Sequence, residues 1–416
     1  MWWTLRFLLP IISQAWLERA RIRFARRFAR RSALIGIATA RMFVDVTAIA
    51  RNDISTGIQR VVRSLTTYLM TDPQGWDVVP VRYARTGFRL TPWPAADRAD
   101  RPAMVPAPGD VFLGLDLSFD AIRRNRRVLR RLKREGTAFW FVVYDLLPFH
   151  TPQYFSAKVV VRFRWWLVAT AQLANGYICI SPHVADEMRA LLATRFKLDE
   201  SVDIRVIPMG FDMPLARAGC AAIDSQRRLA PSQPFVLAVG TVEPRKGYHL
   251  LLEAFQILWD DGWETRLVIV GASGWRTDAL QRSIRDHAEF GTRLFWFTGL
   301  DDHDLTDLYD RAILLVAASY AEGFGLPVLE AIARSCPVLA RDIPAFRAHA
   351  QYGLRYFPAD ADACQLSKSL VGAVKDAGGA DTPPPAHQLT SWKDSARAVQ
   401  AILKNDQNRR SSARRE

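Results

Sequence analysis

Two glutamates, Glu322 and Glu330, stand eight positions apart in the stretch YAEGFGLPVLEAIA at residues 320–333. The first lies in a glycine-rich turn, and the second follows Pro327, a residue that suits the first turn of a helix. A carboxylate there can accept two hydrogen bonds from the neighbouring hydroxyls of a diol. The pair therefore predicts a site that holds one polyhydroxylated ligand at two places. In the structural alternative, Glu330 complements the helix dipole and Glu322 is a solvated loop acid.

A second turn, GTVEPRKG at residues 240–247, places Arg245 and Lys246 at the entrance of the next helix. A helix N-terminus presents free N–H groups and partial positive charge. A guanidinium fork and an ammonium beside it favour binding of a diphosphate. A nucleotide sugar combines a diphosphate with a sugar and a ribose, and so suits both turns. Two solvated basic residues on a loop are the alternative interpretation.

A third turn, RNDISTG at residues 51–57, ends at Gly57, directly before an amphipathic helix. Glycine lets a backbone amide approach a phosphate without a clash from Cβ. A simple helix start capped by Thr56 is the alternative interpretation. The turn therefore adds weak support for a phosphate-bearing ligand.

Apolar strands alternate with amphipathic helices along most of the chain, beginning with a strand predicted over residues 42–50. This alternation predicts an α/β protein with two Rossmann-like parallel sheets facing a cleft. Ligands of such sheets bind beyond the carboxyl ends of the strands, where all three turns fall. The predicted organisation is a basic amphipathic extension at 1–40, a first domain at 41–212, a linker at 213–233, a second domain at 234–390, a closing helix at 391–404 and a basic tail at 405–416.

The formal net charge of +14 is concentrated in a few segments of the 416 residues. Residues 1–41 carry nine arginines and one acid, and residues 123–135 read RRNRRVLRRLKRE. Such blocks suit anionic lipid, nucleic acid or phosphate-bearing substrates. Tryptophans and other apolar residues precede the arginines of the extension, which predicts a segment lying in a membrane interface. A transit-like or disordered extension is the alternative.

The four cysteines form no C-x-x-C pair, and the seven histidines form no H-E-x-x-H motif. The cysteines are therefore interpreted as buried free thiols. Two D-x-D strings, at 302–304 and 360–362, fall where helices begin, so capping explains them better than a metal does. We predict no metal site.

Together these stretches resemble the retaining glycosyltransferases of family 4, which have the GT-B fold of two Rossmann-like domains. The family's E-x7-E signature is matched within EGFGLPVLEA, its phosphate turn by VGTVEPRKG and its closing helix by SWKDSARAV. The N-terminal stretches DVTAIARNDISTGIQRVVRSL and YDLLPFHTPQYF are similar to bacterial members that build polysaccharides, many of them mannosyl- or rhamnosyltransferases. Tyr144 stands where many of these relatives carry a histidine.

The resemblance implies a role for each matching residue. Arg245 and Lys246 would hold the leaving diphosphate, and Glu330 would bind the ribose. The donor sugar would contact Glu322 and the amides of three residues that follow it. The implied catalytic residues are Glu322, Arg245, Lys246 and Asp145, and the implied donor-binding residues are Gly57, Phe324, Gly325, Leu326 and Glu330.

The function implied by the resemblance is transfer of a hexose, with mannose favoured, from a nucleotide-diphosphate sugar such as GDP-mannose. The acceptor would be a glycan or a polyprenyl-linked molecule in surface polysaccharide synthesis. No cofactor and no metal are expected. The expected location is cytoplasmic, peripheral to the inner face of the cytoplasmic membrane, with an anionic lipid surface and no nucleic acid as a partner.

Other function classes predict other patterns. A dinucleotide-dependent oxidoreductase needs G-x-G-x-x-G after a strand, and no strand here is followed by it. A nucleic-acid-binding protein needs aromatic residues among the basic ones, and residues 120–134 contain no aromatic residue. A phosphorylase needs a lysine for pyridoxal phosphate, which no motif identifies. A nucleotide-sugar epimerase with the same two domains remains open, as does a basic protein that binds a membrane or nucleic acid.

Overall fold

The computed structural model describes residues 39–53, 56–84, 87–94, 101–198, 202–211, 233–377 and 390–413. These residues form two α/β units, each built on a largely parallel sheet. The predicted fold class is thereby confirmed. Nearly all of the predicted extension and linker lies outside the described residues.

The first sheet contains seven strands among the described residues. They are Arg41–Asp45 (β1), Asp77–Ala84 (β2), Gly87–Leu90 (β3), Val111–Gly114 (β4), Ala138–Val143 (β5), Gly176–Cys179 (β6) and Asp203–Val206 (β7). Their order is β3-β2-β1-β4-β5-β6-β7. Every neighbouring pair is parallel except β2 with β3, which lies at the edge and pairs antiparallel. The central strands β4, β5 and β6 are buried along their whole length, as a sheet covered on both faces requires.

Helices cover both faces of the first sheet. They are Thr47–Arg51 (α1), Gly57–Thr71 (α2), Phe119–Arg134 (α3), Leu147–His150 (α4), Ala157–Ala171 (α5) and Pro182–Leu191 (α6). Helix α2 begins with a capping box in which the Thr56 hydroxyl accepts from the Gln59 amide and the Gln59 side chain accepts from the Thr56 amide. Thr56 therefore caps the helix, in agreement with the alternative interpretation of this turn.

The strand predicted over residues 42–50 is wrong in its second half. Strand β1 ends at Asp45, and α1 follows at once. The buried carboxylate of Asp116 accepts hydrogen bonds from the amides of Ala48 (2.6 Å) and Ile49 (2.8 Å). Because Asp116 lies far away in the sequence, the local apolar pattern gives no sign of this helix start.

The second sheet has six described strands, all parallel. They are Phe235–Val239 (β8), Arg266–Val270 (β9), Leu294–Phe297 (β10), Leu314–Ala317 (β11), Val338–Arg341 (β12) and Arg355–Phe357 (β13). In the order β10-β9-β8-β11-β12-β13, the strands β9 and β10 are added on one side of β8, and β11 and those after it are added on the other side. A crevice opens at such a point, and two of the predicted ligand turns follow β8 and β11.

The helices of the second unit connect these strands, and a last helix follows them. They are Tyr248–Asp260 (α7), Asp278–Arg285 (α8), Asp302–Arg311 (α9), Leu326–Ala333 (α10), Pro344–Arg347 (α11), Ala363–Ala377 (α12) and Trp392–Ser412 (α13). Within the described ranges, no helix combines the length and the apolar character needed to cross a bilayer.

The closing helix α13 packs against the first unit, although the second unit precedes it in the chain. Trp392 and Leu403 belong to the core of the first sheet. The Ser395 hydroxyl accepts from the Gly210 amide at 2.8 Å, and the Trp140 indole donates to Asp406 at 3.2 Å. The chain therefore crosses between the units twice.

Helix α13 is longer than its predicted range of 391–404 and runs to Ser412. Most of the predicted basic tail is thus helical. The segment 405–412 contains no glycine or proline, and Arg410 pairs with Asp406 one turn earlier at 2.9 Å. This pairing and the docking of Asp406 on Trp140 extend the helix.

The described cysteines are free, as predicted. Cys179 and Cys336 are buried, but Cys364 is exposed, so the interpretation as buried thiols is wrong for Cys364. Cys364 lies on the solvent side of α12, where the helical period turns it away from the core.

Candidate active site

The three predicted turns meet in one cavity of about 370 Å³ between the two units. Gly57 lines it from the first unit, and Arg245 and Glu322 line it from the second. Parallel sheets with facing carboxyl edges produce this arrangement. Of the predicted site residues, the cavity wall contains Gly57, Asp145, Arg245, Lys246, Glu322, Phe324, Gly325 and Leu326.

Glu322 joins the two cations of the 240–247 turn. One carboxylate oxygen accepts from the Lys246 ammonium (2.5 Å) and the Ser319 hydroxyl (2.7 Å). The other accepts from the Arg245 guanidinium at 2.9 Å. Burial alone would raise the pKa of Glu322, but the charges of Lys246 and Arg245 outweigh it and lower the pKa to about 2. Glu322 is therefore an ionised, buried group and not a solvated loop acid.

The cations are also fixed by the backbone of their own turn. Pro244–Lys246 form one 3₁₀ turn, and Gly247 precedes α7 with a left-handed φ of 72°. A Cβ on Gly247 would lie 2.2 Å from the carbonyl oxygen of Ala318, so only glycine fits there. The carbonyl of Arg245 accepts from the Tyr320 amide at 2.7 Å. Turn and strand end are therefore held together, with both cations at the cavity.

The turn that carries Glu322 presses directly against the first unit. A Cβ on Gly323 would lie 2.3 Å from the carbonyl oxygen of Tyr144 and 2.9 Å from Cβ of Asp145. Gly325 precedes α10 with a left-handed φ of 89°. The two glycines let the turn bend sharply and contact the other unit at backbone distance.

His349 supports this turn from behind. Its Nε2 donates to the carbonyl of Phe324 at 2.8 Å, and its ring packs edge-on against the Phe324 ring with centroids 4.8 Å apart. Burial lowers the pKa of His349. The sequence analysis does not identify His349 as a site residue, because it lies 25 positions beyond the turn and belongs to no motif.

Glu330 lies behind the cavity wall, with only 3% of its surface exposed. One carboxylate oxygen is bound by Arg60, and the other accepts from the Tyr309 hydroxyl at 2.8 Å. Arg60 belongs to α2 of the first unit and also pairs with Asp302 at 2.6 Å. Both oxygens predicted to bind a diol are thus engaged, and one of the partners comes from the other unit.

Arg60 and Tyr309 are not identified in the sequence analysis. Arg60 follows Gly57 by three positions, and helical spacing turns the two residues to one side of α2. That spacing is the signal that points to Arg60. Tyr309 carries no comparable signal, because a tyrosine on an amphipathic helix is usually part of the core.

Asp145 and its neighbour Tyr144 make different contacts. The Tyr144 hydroxyl donates to the carbonyl of Leu115 at 2.7 Å, inside the first unit. Asp145 accepts from the amide of Leu147 at 3.0 Å and lies close to Arg245. Burial raises the pKa of Asp145, and the charge of Arg245 opposes that rise. Asp145 is therefore the acid that the first unit contributes beside the cations of the second.

The rest of the first unit's wall is apolar. Its side chains carry no charge and few hydrogen-bonding groups, unlike those opposite. They include Leu117, Phe119, Pro148, Phe155, Val159 and Phe163. Such a wall suits a part of a ligand that carries little charge.

In the part of the chain that the structure describes, one group of side chains has the spacing of a metal site. The ligand atoms of Asp301, His303 and Asp304 lie within 4.8 Å of one another. Asp301 already caps α9 by accepting from the Asp304 amide at 2.8 Å. In the second D-x-D string, Asp362 accepts from the Gln365 amide at 2.7 Å. Capping thus accounts for Asp362. The cap of α9 is Asp301, one position before the first string, so the capping interpretation is wrong for Asp302, which pairs with Arg60.

Comparison with known proteins finds relatives of this chain. Residues 221–368 match the family model for "Glycosyl transferases group 1". The chain is 31% identical over 384 residues to the serotype-specific mannosyltransferase WbdA of Escherichia coli, with 88% of this chain and 46% of that protein aligned. It is 30% identical over 254 residues to the O-antigen chain mannosyltransferase B of Escherichia coli, with 59% and 62% aligned. The chain spans about half the length of WbdA.

Solved structures share the fold over most of the chain. Sucrose-phosphate synthase from Thermosynechococcus elongatus superposes with a TM-score of 0.59 at 18% identity, covering 90% of this chain and 99% of that one. Anabaena Alr3699/HepE in complex with UDP-glucose superposes with a TM-score of 0.56 at 14% identity and the same coverage. The chain therefore has the GT-B fold, and its residues 221–368 are similar to the group 1 glycosyltransferases.

Proposed function

We propose that the protein is a retaining hexosyltransferase that moves mannose from GDP-mannose to a glycan or polyprenyl-linked acceptor in surface polysaccharide synthesis. The observation that carries the proposal is the convergence of Arg245, Lys246 and Glu322 on a cavity shared by both units. The names of the relatives favour mannose, and a nucleotide-diphosphate donor suits the paired cations.

The paired cations act on the leaving group. As the bond between the anomeric carbon and the diphosphate oxygen breaks, its electron pair moves onto the diphosphate. Arg245 and Lys246 are held in place by Glu322 before the reaction, so they stabilise this charge without reorganising. A single preorganised contact of this kind typically contributes about 3–4 kcal/mol to the transition state.

The acceptor hydroxyl forms the new bond to the anomeric carbon. Attack from the face that the diphosphate leaves retains the configuration, and the hydroxyl proton passes to the departing diphosphate oxygen. Glu322 remains ionised and accepts hydrogen bonds from sugar hydroxyls, aided by the amides of Phe324, Gly325 and Leu326. Asp145 borders the same space and stabilises positive charge at the anomeric carbon when it is ionised.

Glu330 binds the ribose hydroxyls in this scheme. A carboxylate has about four acceptor positions, and Arg60 and Tyr309 engage two of them. The diol therefore shares the carboxylate with Arg60 or displaces it. The reaction needs no metal and no other cofactor in this proposal.

The acceptor sets the location that we propose. A polyprenyl-linked acceptor is embedded in a bilayer, so the enzyme works at the inner face of the cytoplasmic membrane as a peripheral protein. The basic segments 1–40 and 120–134 support this location, because anionic lipids attract clustered arginines.

Donor turnover tests the proposal. The protein is incubated with GDP-mannose, UDP-glucose or dTDP-rhamnose, with and without a mannose-bearing glycan, and nucleoside diphosphate is quantified. We expect release of GDP from GDP-mannose that depends on the glycan. Absence of release from every donor in the presence of the glycan contradicts transfer. Formation of an isomeric nucleotide sugar without any acceptor identifies an epimerase instead.

A further inference from the structure

Two helices of the first unit, α3 and α5, lie side by side on one face of its sheet. Near their starts, Arg162 pairs with Asp120 at 3.0 Å. Near their ends, Lys133 donates to the carbonyl of Ala174 at 3.1 Å, and Arg130 bonds Gln172. The outward sides of the two helices therefore form one continuous surface, here called the α3–α5 face.

The α3–α5 face exposes large apolar side chains. Val161, Trp165 and Val168 on α5 are 51%, 47% and 39% exposed. Their spacing of four and three residues aligns them in a single stripe along the helix. On α3, Val128 is 42% exposed. A group of large apolar residues on one surface is unusual in a soluble domain and indicates an interaction site.

The same face is strongly cationic. Lys158 and Arg164 on α5 are exposed beside the apolar stripe. The acid Asp120 is already paired with Arg162. The exposed arginines of α3 are Arg124, Arg126, Arg127, Arg130, Arg131 and Arg134.

We propose that the α3–α5 face docks on an anionic lipid bilayer. In this arrangement Trp165 and the two valines enter the headgroup region, and the arginines of α3 contact lipid phosphates. Arginine pairs well with phosphate, and tryptophan favours the boundary between headgroups and acyl chains. The proposal adds α5 and its apolar stripe to the basic helix that the sequence identifies.

A bilayer fits this face better than other partners do. A second copy of the chain would bring like charges together across the contact, which is costly. A nucleic acid would need aromatic rings interleaved with the arginines, and the exposed stripe consists of two valines and one tryptophan. An anionic bilayer satisfies the charge and the apolar stripe together.

The face also leads to the active-site cavity. Phe119 at the start of α3 and Val159 at the start of α5 line that cavity. A bilayer on the α3–α5 face therefore lies next to the apolar wall, where a lipid-linked acceptor enters. This last step rests on the proposed function, whereas the docking itself does not.

Vesicle flotation with the full chain tests the docking. The vesicles contain phosphatidylglycerol and phosphatidylcholine in equal parts, with pure phosphatidylcholine as the uncharged comparison. One variant carries Arg124→Gln, Arg127→Gln and Arg131→Gln, and a second carries Val161→Ser, Trp165→Ser and Val168→Ser. The matched control carries Trp275→Ser and Arg282→Gln, because Trp275 is an exposed tryptophan of the second unit (38%).

We expect the arginine variant to bind anionic vesicles about tenfold more weakly at low salt. The apolar variant should lose the binding that persists at high salt, because salt screens charge but not apolar contact. The control should float like the wild type. Equal flotation of all variants overturns the proposal, since the bilayer would then contact another part of the chain. A dimer that Trp165→Ser dissociates in sedimentation assigns the face to a second copy and also overturns it.

A parallel assay separates this proposal from the proposed function. GDP release from GDP-mannose is measured without vesicles, using a water-soluble glycan. Both variants should turn over like the wild type, since none of their residues lines the cavity. A wild type without turnover contradicts the function but leaves the flotation result valid. A variant that floats poorly and keeps its turnover supports the docking face.

Discussion

The two walls of the cavity differ in charge and in the direction of their pKa shifts. In the second unit, the cations Arg245 and Lys246 lower the pKa of Glu322 to about 2. In the first unit, burial raises the pKa of Asp145, and the charge of Arg245 opposes that rise. One wall thus holds fixed charges in place, whereas the other is apolar around a single acid, Asp145. In the proposed function, the anionic diphosphate therefore binds the second unit and the acceptor binds the first.

Two of the contacts that join the walls are of different kinds. At Gly323 the contact is backbone against backbone, and a side chain there would prevent it. At Glu330 it is an ion pair with Arg60. Charge therefore joins the units at Glu330, whereas Gly323 sets how closely their backbones approach.

The largest effect is expected on the charged wall. Lys246→Ala removes an ammonium aimed at the developing diphosphate charge, so kcat should fall about 100- to 1000-fold with a smaller change in donor KM. Steady-state GDP release measures both constants. Lys368→Ala, an exposed lysine of α12 in the same unit, is the control and should leave both unchanged. Unimpaired turnover of Lys246→Ala would place the diphosphate elsewhere.

A smaller effect is expected where the walls meet. Glu330→Ala removes the acceptor for the ribose hydroxyls, so donor KM should rise tenfold or more, about 1.5 kcal/mol for hydrogen bonds to a charged group. The change in kcat should be smaller. Tyr309→Phe removes one hydrogen bond and keeps the carboxylate, and it serves as the matched variant with little change in KM. A loss of kcat alone in Glu330→Ala would contradict ribose binding.

Arg60→Gln tests the contact between the walls, because it removes the cation of the first unit that pairs with Glu330 of the second unit. If Arg60 competes with the ribose diol for Glu330, GDP should bind about fivefold more tightly to the variant, as expected for ~1 kcal/mol from one released hydrogen bond. The melting temperature should fall, since Glu330 then lacks its ionic partner. Titration calorimetry and thermal unfolding measure the two quantities. Weaker GDP binding would show that Arg60 helps to hold the nucleotide.

The sequence predicts the strand ends better than the contacts between side chains. The alternation of strands and helices and the glycine turns at 240–247 and 321–325 predict two parallel sheets and one shared cavity, because these are local patterns. The partner of Glu330 depends on how the two units approach each other. No pattern within either unit records that approach, so the pairing of Arg60 with Glu330 becomes visible only in the structure. The contact of His349 with Phe324 spans 25 positions within one unit and is likewise not encoded by a local pattern.

One edge strand of each sheet also cannot be predicted from local sequence patterns. Strands β3 and β13 are short, and their residues have no strong alternation. They form because a neighbouring strand offers free backbone groups, which is a tertiary cause. Helix α1 likewise depends on Asp116 from a distant loop.

The smallest effect is a pH dependence of stability in the first unit. Burial and the neighbouring Asp116 raise the pKa of Asp45 in the folded protein to about 7. Between about pH 4 and 7 the folded state therefore binds a proton that the unfolded state lacks. This contribution to stability is lost as the pH rises through 7. Asp45→Asn mimics the protonated acid. Between pH 5 and pH 8, the Tm of this variant should therefore fall by about 3 °C less than the Tm of the wild type. Identical pH profiles would contradict the raised pKa.

The most direct test of the central claim is a titration of the wild-type protein with GDP, GMP and mannose. We expect GDP to bind at least tenfold more tightly than GMP, because the second phosphate would contact Arg245 and Lys246. Salt should weaken the binding of GDP more than that of GMP. Equal affinity for GDP and GMP at every salt concentration would contradict a diphosphate site on the charged wall.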